Sequence, residues 1–181
     1  MGINGKVNAF FLDRDGVLNE SVIKNGKPYP PDSINDLIIP KKLKKNLLKL
    51  RKLNFLLIMI TNQPDVARGT RKKNDVDEIN NYLKNYLNLD DVYCCYHDDL
   101  DDCICRKPKD GMIKMAKKKW NINLSKSFLV GDRWKDIKCG INAGVKTFLI
   151  EKKYDEQRIE PDFSVSNFDE IIKIINNYKY E

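Results

Sequence analysis

The sequence predicts a single α/β domain, residues 1–181, with a mostly parallel sheet and helices on both faces. First, apolar runs of strand length alternate with longer amphipathic segments along the whole chain. Second, these runs are almost continuously apolar, as strands buried on both faces are. Third, polar residues directly follow three of the runs, at Asp13, Thr61 and Asp132. Because ligands bind beyond the carboxyl ends of parallel strands, we expect a site where these residues meet.

The elements follow from hydrophobic periodicity. Strands are predicted over residues 7–12, 55–60, 92–96, 128–130, 145–150 and 163–165. Helices are predicted over residues 40–53, 111–120, 136–143 and about 169–178, and a further one from a cap at Asn74 or Asp75 through Leu87. The polar, proline-containing stretch 19–40 is predicted to be a loop or flap. No large cap domain is inserted, so this flap and the loop at about 94–106 should cover the site.

Composition narrows the function classes. The formal net charge is +7, which could indicate an anionic partner. Many of the lysines fall in amphipathic helices, for example at 41–45 and 117–119, so solvated helix faces explain the charge and nucleic acid is not favoured. No apolar run has the length of a membrane span, and no signal-peptide pattern is present. We therefore expect a cytoplasmic protein without a membrane partner, and favour a monomer.

An acidic pair follows the first predicted strand. Alternate side chains of a strand share a face, so Asp13 and Asp15 could point the same way where the strand ends. Gly16 allows the backbone to turn sharply there. Two close carboxylates repel each other unless a cation or a shared proton intervenes. Mg²⁺ fits this need, because it binds a few carboxylates and keeps positions for water and substrate phosphate.

Four motifs follow one another along the chain: Asp13-x-Asp15, Thr61-Asn62, Lys107 and Gly131-Asp132-x-x-x-Asp136. Their order resembles that of the haloacid-dehalogenase (HAD) phosphatases, whose domain is Rossmann-like. Longer motifs are also present: Asp13-Arg14-Asp15-Gly16, Thr61-Asn62-Gln63, Ala67-Arg68-Gly69, Cys95-x-His97 and Cys103-x-Cys105-Arg106-Lys107-Pro108. In these motifs the chain is similar to one group within that superfamily, the D-glycero-D-manno-heptose bisphosphate phosphatases and histidinol phosphatases.

The resemblance implies a role for each catalytic residue. Asp13 would be the nucleophile that forms an aspartyl-phosphate, and Asp15 would be the general acid and then the general base. Asp13, the backbone carbonyl of Asp15 and Asp132 would hold Mg²⁺. Thr61 and Lys107 would stabilise the charge on the phosphoryl oxygens.

Further positions are implied to bind substrate or to support the metal. Asn62 and Gln63 are expected near the phosphoryl group, and Arg106 and Arg133 near the distal part of the substrate. Asp136 could bind the metal directly, or it could support the residues that bind the metal. The sequence leaves both roles open.

A second metal site is predicted in the loop at 94–106. Four of the five cysteines lie between Cys94 and Cys105, which in a chain without a secretion signal favours metal binding over disulfides. Three thiolates and one imidazole form a closed tetrahedral set for Zn²⁺: Cys95, His97, Cys103 and Cys105. Cys94 could compete with Cys95, and the family register favours Cys95. Cys139 is predicted to lie in the core.

The expected activity is hydrolysis of a small phosphorylated metabolite. We expect a sugar bisphosphate, specifically heptose 1,7-bisphosphate losing its 7-phosphate. Histidinol phosphate and 3′-phosphorylated polynucleotides are alternatives, although the latter would not explain the cysteine cluster. A phospho-acceptor switch of the receiver type is an alternative of another class, but its acidic residues come from separate strands. No Cys-x5-Arg or Gly-x4-Gly-Lys loop is present for a cysteine phosphatase or a P-loop kinase.

Overall fold

Strand β1 lies at the centre of a parallel sheet in the computed structural model, which describes residues 5–24, 26–154 and 156–178. The six strands run in the order β5-β4-β1-β6-β7-β8, and all neighbouring pairs are parallel. Their bounds are β1 Asn8–Leu12, β4 Phe55–Asn62, β5 Asp91–Cys95, β6 Phe128–Gly131, β7 Lys146–Ile150 and β8 Phe163–Val165. After β1 the chain forms β4 and β5 on one side of it, and then β6, β7 and β8 on the other side. The topological switch point therefore lies beside β1.

Within the described part of the chain, five α-helices cover the two faces of this sheet. They are α1 Leu43–Lys52, α2 Lys73–Leu87, α3 Gly111–Trp120, α4 Trp134–Ala143 and α5 Phe168–Asn177. Alternation along β1 divides the core: Phe10 and Leu12 pack on the side of α1, α2 and α5, and Ala9 and Phe11 on the side of α3 and α4. Cys139 is fully buried in the second layer, as predicted.

The predicted flap contains a short antiparallel hairpin, β2 Val22–Lys24 and β3 Lys27–Tyr29. A short 3-10 turn, Ile34–Asp36, follows it. Pro28, Tyr29 and Pro30 line the cavity at the carboxyl ends of the strands. Among the described residues, the hairpin and this 3-10 turn are the only regular structure between β1 and α1, so the prediction of a small cover in place of a cap domain is confirmed.

The α/β prediction is confirmed, the helices predicted from residues 40 and 136 begin at Leu43 and Trp134, and the predicted cap of α2 is wrong. Helix α2 begins at Lys73, after Lys72 in an extended conformation. Asn74 and Asp75 therefore lie inside the first turn, where Asp75 interacts favourably with the helix dipole, and neither is the cap. Seven terminal residues of the predicted domain, at 1–4 and 179–181, lie outside the described residues. Within the described part of the chain, no helix is both long enough and apolar enough to cross a bilayer.

Candidate active site

The carboxyl ends of three adjacent strands bring the predicted residues together. Strand β1 pairs with β4 on one side and with β6 on the other. Asp13 follows β1, Asp132 follows β6, and Thr61 is the second-last residue of β4. The amide of Asp13 donates to the carbonyl of Val130 at 3.0 Å, which fixes the first carboxylate against the strand that delivers the second.

Three buried carboxylates form an acidic cluster. Asp13, Asp132 and Asp136 each offer an oxygen within 4.8 Å of the others, and all three side chains are buried. Burial and the charge of Asp136 raise the pKa of Asp13 to about 7, against the opposing effect of Lys107. Burial and then the charge of Asp13 raise the pKa of Asp132 well above its ordinary value. The fold thus concentrates carboxylates whose ionised forms need a nearby cation.

Lys107 supplies part of the compensating charge. Its ammonium lies 2.8 Å from Asp13 Oδ1 and 2.6 Å from Asp136 Oδ1, and it donates to the carbonyl of Ile60 at 3.1 Å. Burial opposes the charged form, but Asp13 and Asp136 raise the pKa of Lys107 above its ordinary value. One ammonium faces three carboxylates, so the cluster has the charge and the oxygen donors for a divalent cation.

Asp132 shows where such a cation fits. Its Oδ1 is buried without a hydrogen-bond partner, whereas its Oδ2 accepts from the Tyr154 hydroxyl at 2.6 Å. Oδ2 also lies over Gly16, where a Cβ would approach it to 1.8 Å. The absence of a side chain at Gly16 therefore lets β1 and β6 deliver their carboxylates to one point. An anionic oxygen buried without a donor is a suitable ligand for Mg²⁺.

The side chain of Asp15 does not belong to this acidic cluster. It accepts hydrogen bonds from Arg14, Asn19 and Gln63 at 2.8–3.2 Å. Burial would raise the pKa of Asp15, but these donors, Arg14 above all, lower it below the ordinary value. The carboxylate nevertheless lines the same cavity as Asp13. This geometry is compatible with the predicted contribution of Asp15 to a metal through its backbone carbonyl, and it leaves the carboxylate for proton transfer.

Side chains at the end of β4 and directly after it hydrogen-bond to other residues of the site. Gln63 Nε2 donates both to Asp15 Oδ2 at 2.8 Å and to Thr61 Oγ1 at 2.9 Å. The amide of Asn62 makes two reciprocal hydrogen bonds of 3.0 Å with the backbone of Lys107. Asn62 thus positions the loop that carries the ammonium, a role that its sequence position alone did not indicate.

Besides Lys107, four cations among the described residues line the cavity, which has a volume of about 280 Å³. Arg106 and Arg133 were predicted there, and Arg68 and Lys135 were missed as site residues. Each is paired within the chain: Arg68 with Asp98 and Asp65, Arg106 and Lys135 with Asp99, and Arg133 with Glu156. The Ala67-Arg68-Gly69 motif was the available signal for Arg68. Such a cationic rim suits a second anionic group on a ligand.

The predicted zinc ligands also come together. The sulfurs of Cys95, Cys103 and Cys105 lie 3.2–3.6 Å apart, and His97 Nδ1 lies 3.6 Å from Cys95 Sγ and 3.4 Å from Cys105 Sγ. Tetrahedral bonds of about 2.3 Å would place sulfurs roughly 3.8 Å apart, and a disulfide would place them about 2.0 Å apart. Cys94 lies outside this group. The four donors have the type and spacing of a metal site.

Comparisons with known proteins indicate the family of this chain. A family model described as HAD-hydrolase-like matches residues 104–171. The D-glycero-β-D-manno-heptose-1,7-bisphosphate 7-phosphatase of Helicobacter pylori is 36% identical over 148 residues, which cover 78% of this chain and 82% of the relative. The corresponding phosphatase of Campylobacter jejuni, named for the α anomer, is 32% identical over 179 residues, which cover 96% and 97%.

A solved structure shows the same fold. The D,D-heptose 1,7-bisphosphate phosphatase of B. bronchiseptica, crystallised with magnesium and phosphate, matches with a TM-score of 0.80 and 21% identity. The match covers 94% of this chain and 98% of that one. The fold and the acidic site define a HAD-type phosphatase. Within that superfamily, the chain belongs to the family of D-glycero-D-manno-heptose-1,7-bisphosphate 7-phosphatases.

The contact between Gly16 and Asp132 can be tested with Gly16→Ala. A methyl group there would displace the Asp132 carboxylate, so we expect phosphatase activity to fall by about 100-fold and the free energy of unfolding by about 3 kcal/mol. Gly144→Ala is the matched control, because Gly144 also has a positive φ but a Cβ there would meet nothing within 4 Å. It should cost about 1 kcal/mol and leave activity intact. Equal losses of activity in the two variants would contradict the assigned contact.

Proposed function

We propose that this protein is a Mg²⁺-dependent phosphatase that removes the 7-phosphate of a D-glycero-D-manno-heptose 1,7-bisphosphate through an aspartyl-phosphate. The observation that carries the proposal is the acidic cluster of Asp13, Asp132 and Asp136 against Lys107 at the strand ends. The substrate is taken from the names of relatives at 32–36% identity. Family membership favours a hydrolase over the receiver-type switch.

In the first half-reaction, a carboxylate oxygen of Asp13 attacks phosphorus and the bond from phosphorus to the sugar oxygen breaks. Asp13, Asp132 and the backbone carbonyl of Asp15 would hold Mg²⁺, which would neutralise charge on the nucleophile and the phosphate. Lys107 and Thr61 stabilise the phosphoryl oxygens. Lys107 is held in place by Asp136 and by the backbone bonds to Asn62, so the charge is positioned before substrate arrives.

Asp15 transfers the protons. It protonates the departing sugar oxygen, and in the second half-reaction it accepts a proton from the water that attacks the aspartyl-phosphate and releases inorganic phosphate. The low pKa that Arg14, Asn19 and Gln63 give this carboxylate suits the second step. A phosphate dianion beside Asp15 raises its pKa, because like charges disfavour ionisation, and this prepares the first step.

The cationic rim supports a substrate with two phosphates. While one phosphate reacts at Asp13, a second one on the sugar would meet Arg106, Arg133, Lys135 and Arg68, whose present partners are carboxylates of this chain. Asp99 has a side chain that is 63% exposed, so substrate displaces it from Arg106 at low cost. Histidinol phosphate has a single phosphate and makes less use of this rim.

A substrate panel tests the proposed specificity. With Mg²⁺ present, we expect the kcat/KM for heptose 1,7-bisphosphate to exceed those for heptose 7-phosphate and histidinol phosphate, because only the bisphosphate engages both the cluster and the rim. Release of phosphate from 3′-phosphorylated DNA serves as the negative control. Equal kcat/KM values for the bisphosphate and the 7-phosphate would contradict a role for the rim, and preference for histidinol phosphate would contradict the substrate.

Asp13→Asn tests the nucleophile. The amide cannot form the aspartyl-phosphate, so phosphate release should fall below detection. The fold should survive, because the substitution removes one of three mutually repelling carboxylates and leaves Lys107 paired with Asp136. Circular dichroism and thermal melting in EDTA check the fold, and the melting temperature should not fall. Turnover at the wild-type rate would remove Asp13 from the mechanism.

The second metal of the proposal is Zn²⁺, bound by Cys95, His97, Cys103 and Cys105. Cys105 directly precedes Arg106 and Lys107. The guanidinium of Arg106 also donates a hydrogen bond of 3.2 Å to the backbone carbonyl of His97. A closed tetrahedral site at this point therefore has a structural role: it fixes the backbone from which both cations extend. The cytoplasmic location and the monomeric state remain predictions from the sequence.

Metal analysis of the purified protein should find about one zinc per chain. Removing it with a zinc-selective chelator should lower both the melting temperature and kcat/KM, and added Mg²⁺ should not restore either. Cys103→Ser should reproduce the loss, whereas Cys94→Ser, which alters a cysteine outside the cluster, should retain zinc. A zinc-free sample that is fully folded and active would contradict the proposal.

A further inference from the structure

A side chain from the connection between β7 and β8 reaches the acidic cluster. Tyr154 donates its hydroxyl proton to Asp132 Oδ2 at 2.6 Å. The same segment holds the next two residues as well, because Glu156 accepts from Arg133 Nε and Nη2 at 2.9 and 2.7 Å and from the amide of Trp134 at 3.2 Å. Three consecutive residues after β6 are thus held by two side chains of an irregular segment.

The hydrogen bond distinguishes the two oxygens of Asp132. Oδ2 has a donor and lies over Gly16, whereas Oδ1 is buried without a partner. A carboxylate on a single freely rotating bond could present either oxygen. The neutral donor fixes its rotation and leaves Oδ1 free for a cation, in the way that groups behind a metal ligand orient it.

We propose that Tyr154 is a positioning residue that orients Asp132 for binding the divalent cation. This inference rests on the proposed metal site but not on the proposed substrate. The chemistry is that of a neutral phenol, which supplies one directional hydrogen bond and no charge. A lysine at the same place would instead compete with the cation for the carboxylate. Glu156 contributes by fixing the backbone at Trp134, so that Tyr154 and Asp132 stay in register.

Mn²⁺ binding, measured by electron paramagnetic resonance without substrate, tests the inference in Tyr154→Phe. Loss of the hydroxyl should weaken Mn²⁺ binding by about 10-fold, the usual cost of removing a group that orients a ligand. Tyr82→Phe, which removes a hydroxyl from the stacked pair with Tyr86 on α2, is the matched control and should bind Mn²⁺ like the wild type. Each variant is measured well below its own melting temperature, so loss of fold does not enter the comparison.

The results distinguish an orienting role of Tyr154 from a purely structural role. Weaker Mn²⁺ binding in Tyr154→Phe, with the Tyr82→Phe control unchanged, supports the orienting role. Mn²⁺ affinity within twofold of the wild type would overturn it, whether or not the melting temperature falls, because a purely structural tyrosine changes only the latter. A wild-type protein that binds no Mn²⁺ would contradict the metal site and, with it, this inference. Failure of the heptose substrate alone would leave the inference standing.

Discussion

Charge balance around Asp13, Asp132 and Asp136 is the constraint on which the rest of the site depends. Burying three carboxylates so close together opposes folding, because each loses water and repels the others. Lys107 compensates for part of this charge, and its contacts with Asp13 and Asp136 offset the cost of burying its own ammonium. The remaining negative charge is what a divalent cation and then a phosphoryl group can use. The uncompensated charge of the acidic cluster therefore favours binding of a divalent cation.

The surrounding structure is arranged to keep these charges in place. The parallel register of β1 with β4 and β6 delivers the strand ends to one level. Gly16 removes the side chain that would separate two of the carboxylates. The loop that contains the cysteine cluster ends at Lys107, and Asn62 ties that residue to β4 through two hydrogen bonds. The candidate zinc site thus shares a backbone segment with Lys107, whose ammonium contacts Asp13 and Asp136 of the acidic cluster, so order in the loop affects the position of that ammonium.

Much of this arrangement could be predicted from the sequence. Continuous apolar runs identified the buried strands, and the polar residues after them identified the edge where the site lies. The order of the motifs predicted Lys107 as a site residue. Hydrophobic periodicity could not have predicted this, because its partners Asp13 and Asp136 are distant in sequence. The start of α2 was wrong because an extended Lys72 replaced the expected capping side chain.

Other features depend on tertiary contacts that leave no local pattern. The sequence did not decide whether Asp136 binds the metal or supports its ligands. Its place in the acidic cluster depends on the packing of α4 beside β6. The direction of the Asp15 side chain depends on Asn19 and Gln63, and the contact of Tyr154 depends on the path of an irregular segment. Motifs report residue types at set spacings, whereas these contacts arise from chain path and from the competition of several donors for one acceptor.

The most direct test of the central claim is to trap the covalent state. During turnover with Mg²⁺ and heptose 1,7-bisphosphate, acid quenching followed by borohydride reduction converts an aspartyl-phosphate to homoserine, which peptide mass spectrometry locates. The account predicts homoserine at position 13, dependent on Mg²⁺ and absent without substrate. Homoserine at any other aspartate, or turnover that proceeds with no modified residue under conditions that trap a known aspartyl-phosphate enzyme, would contradict it.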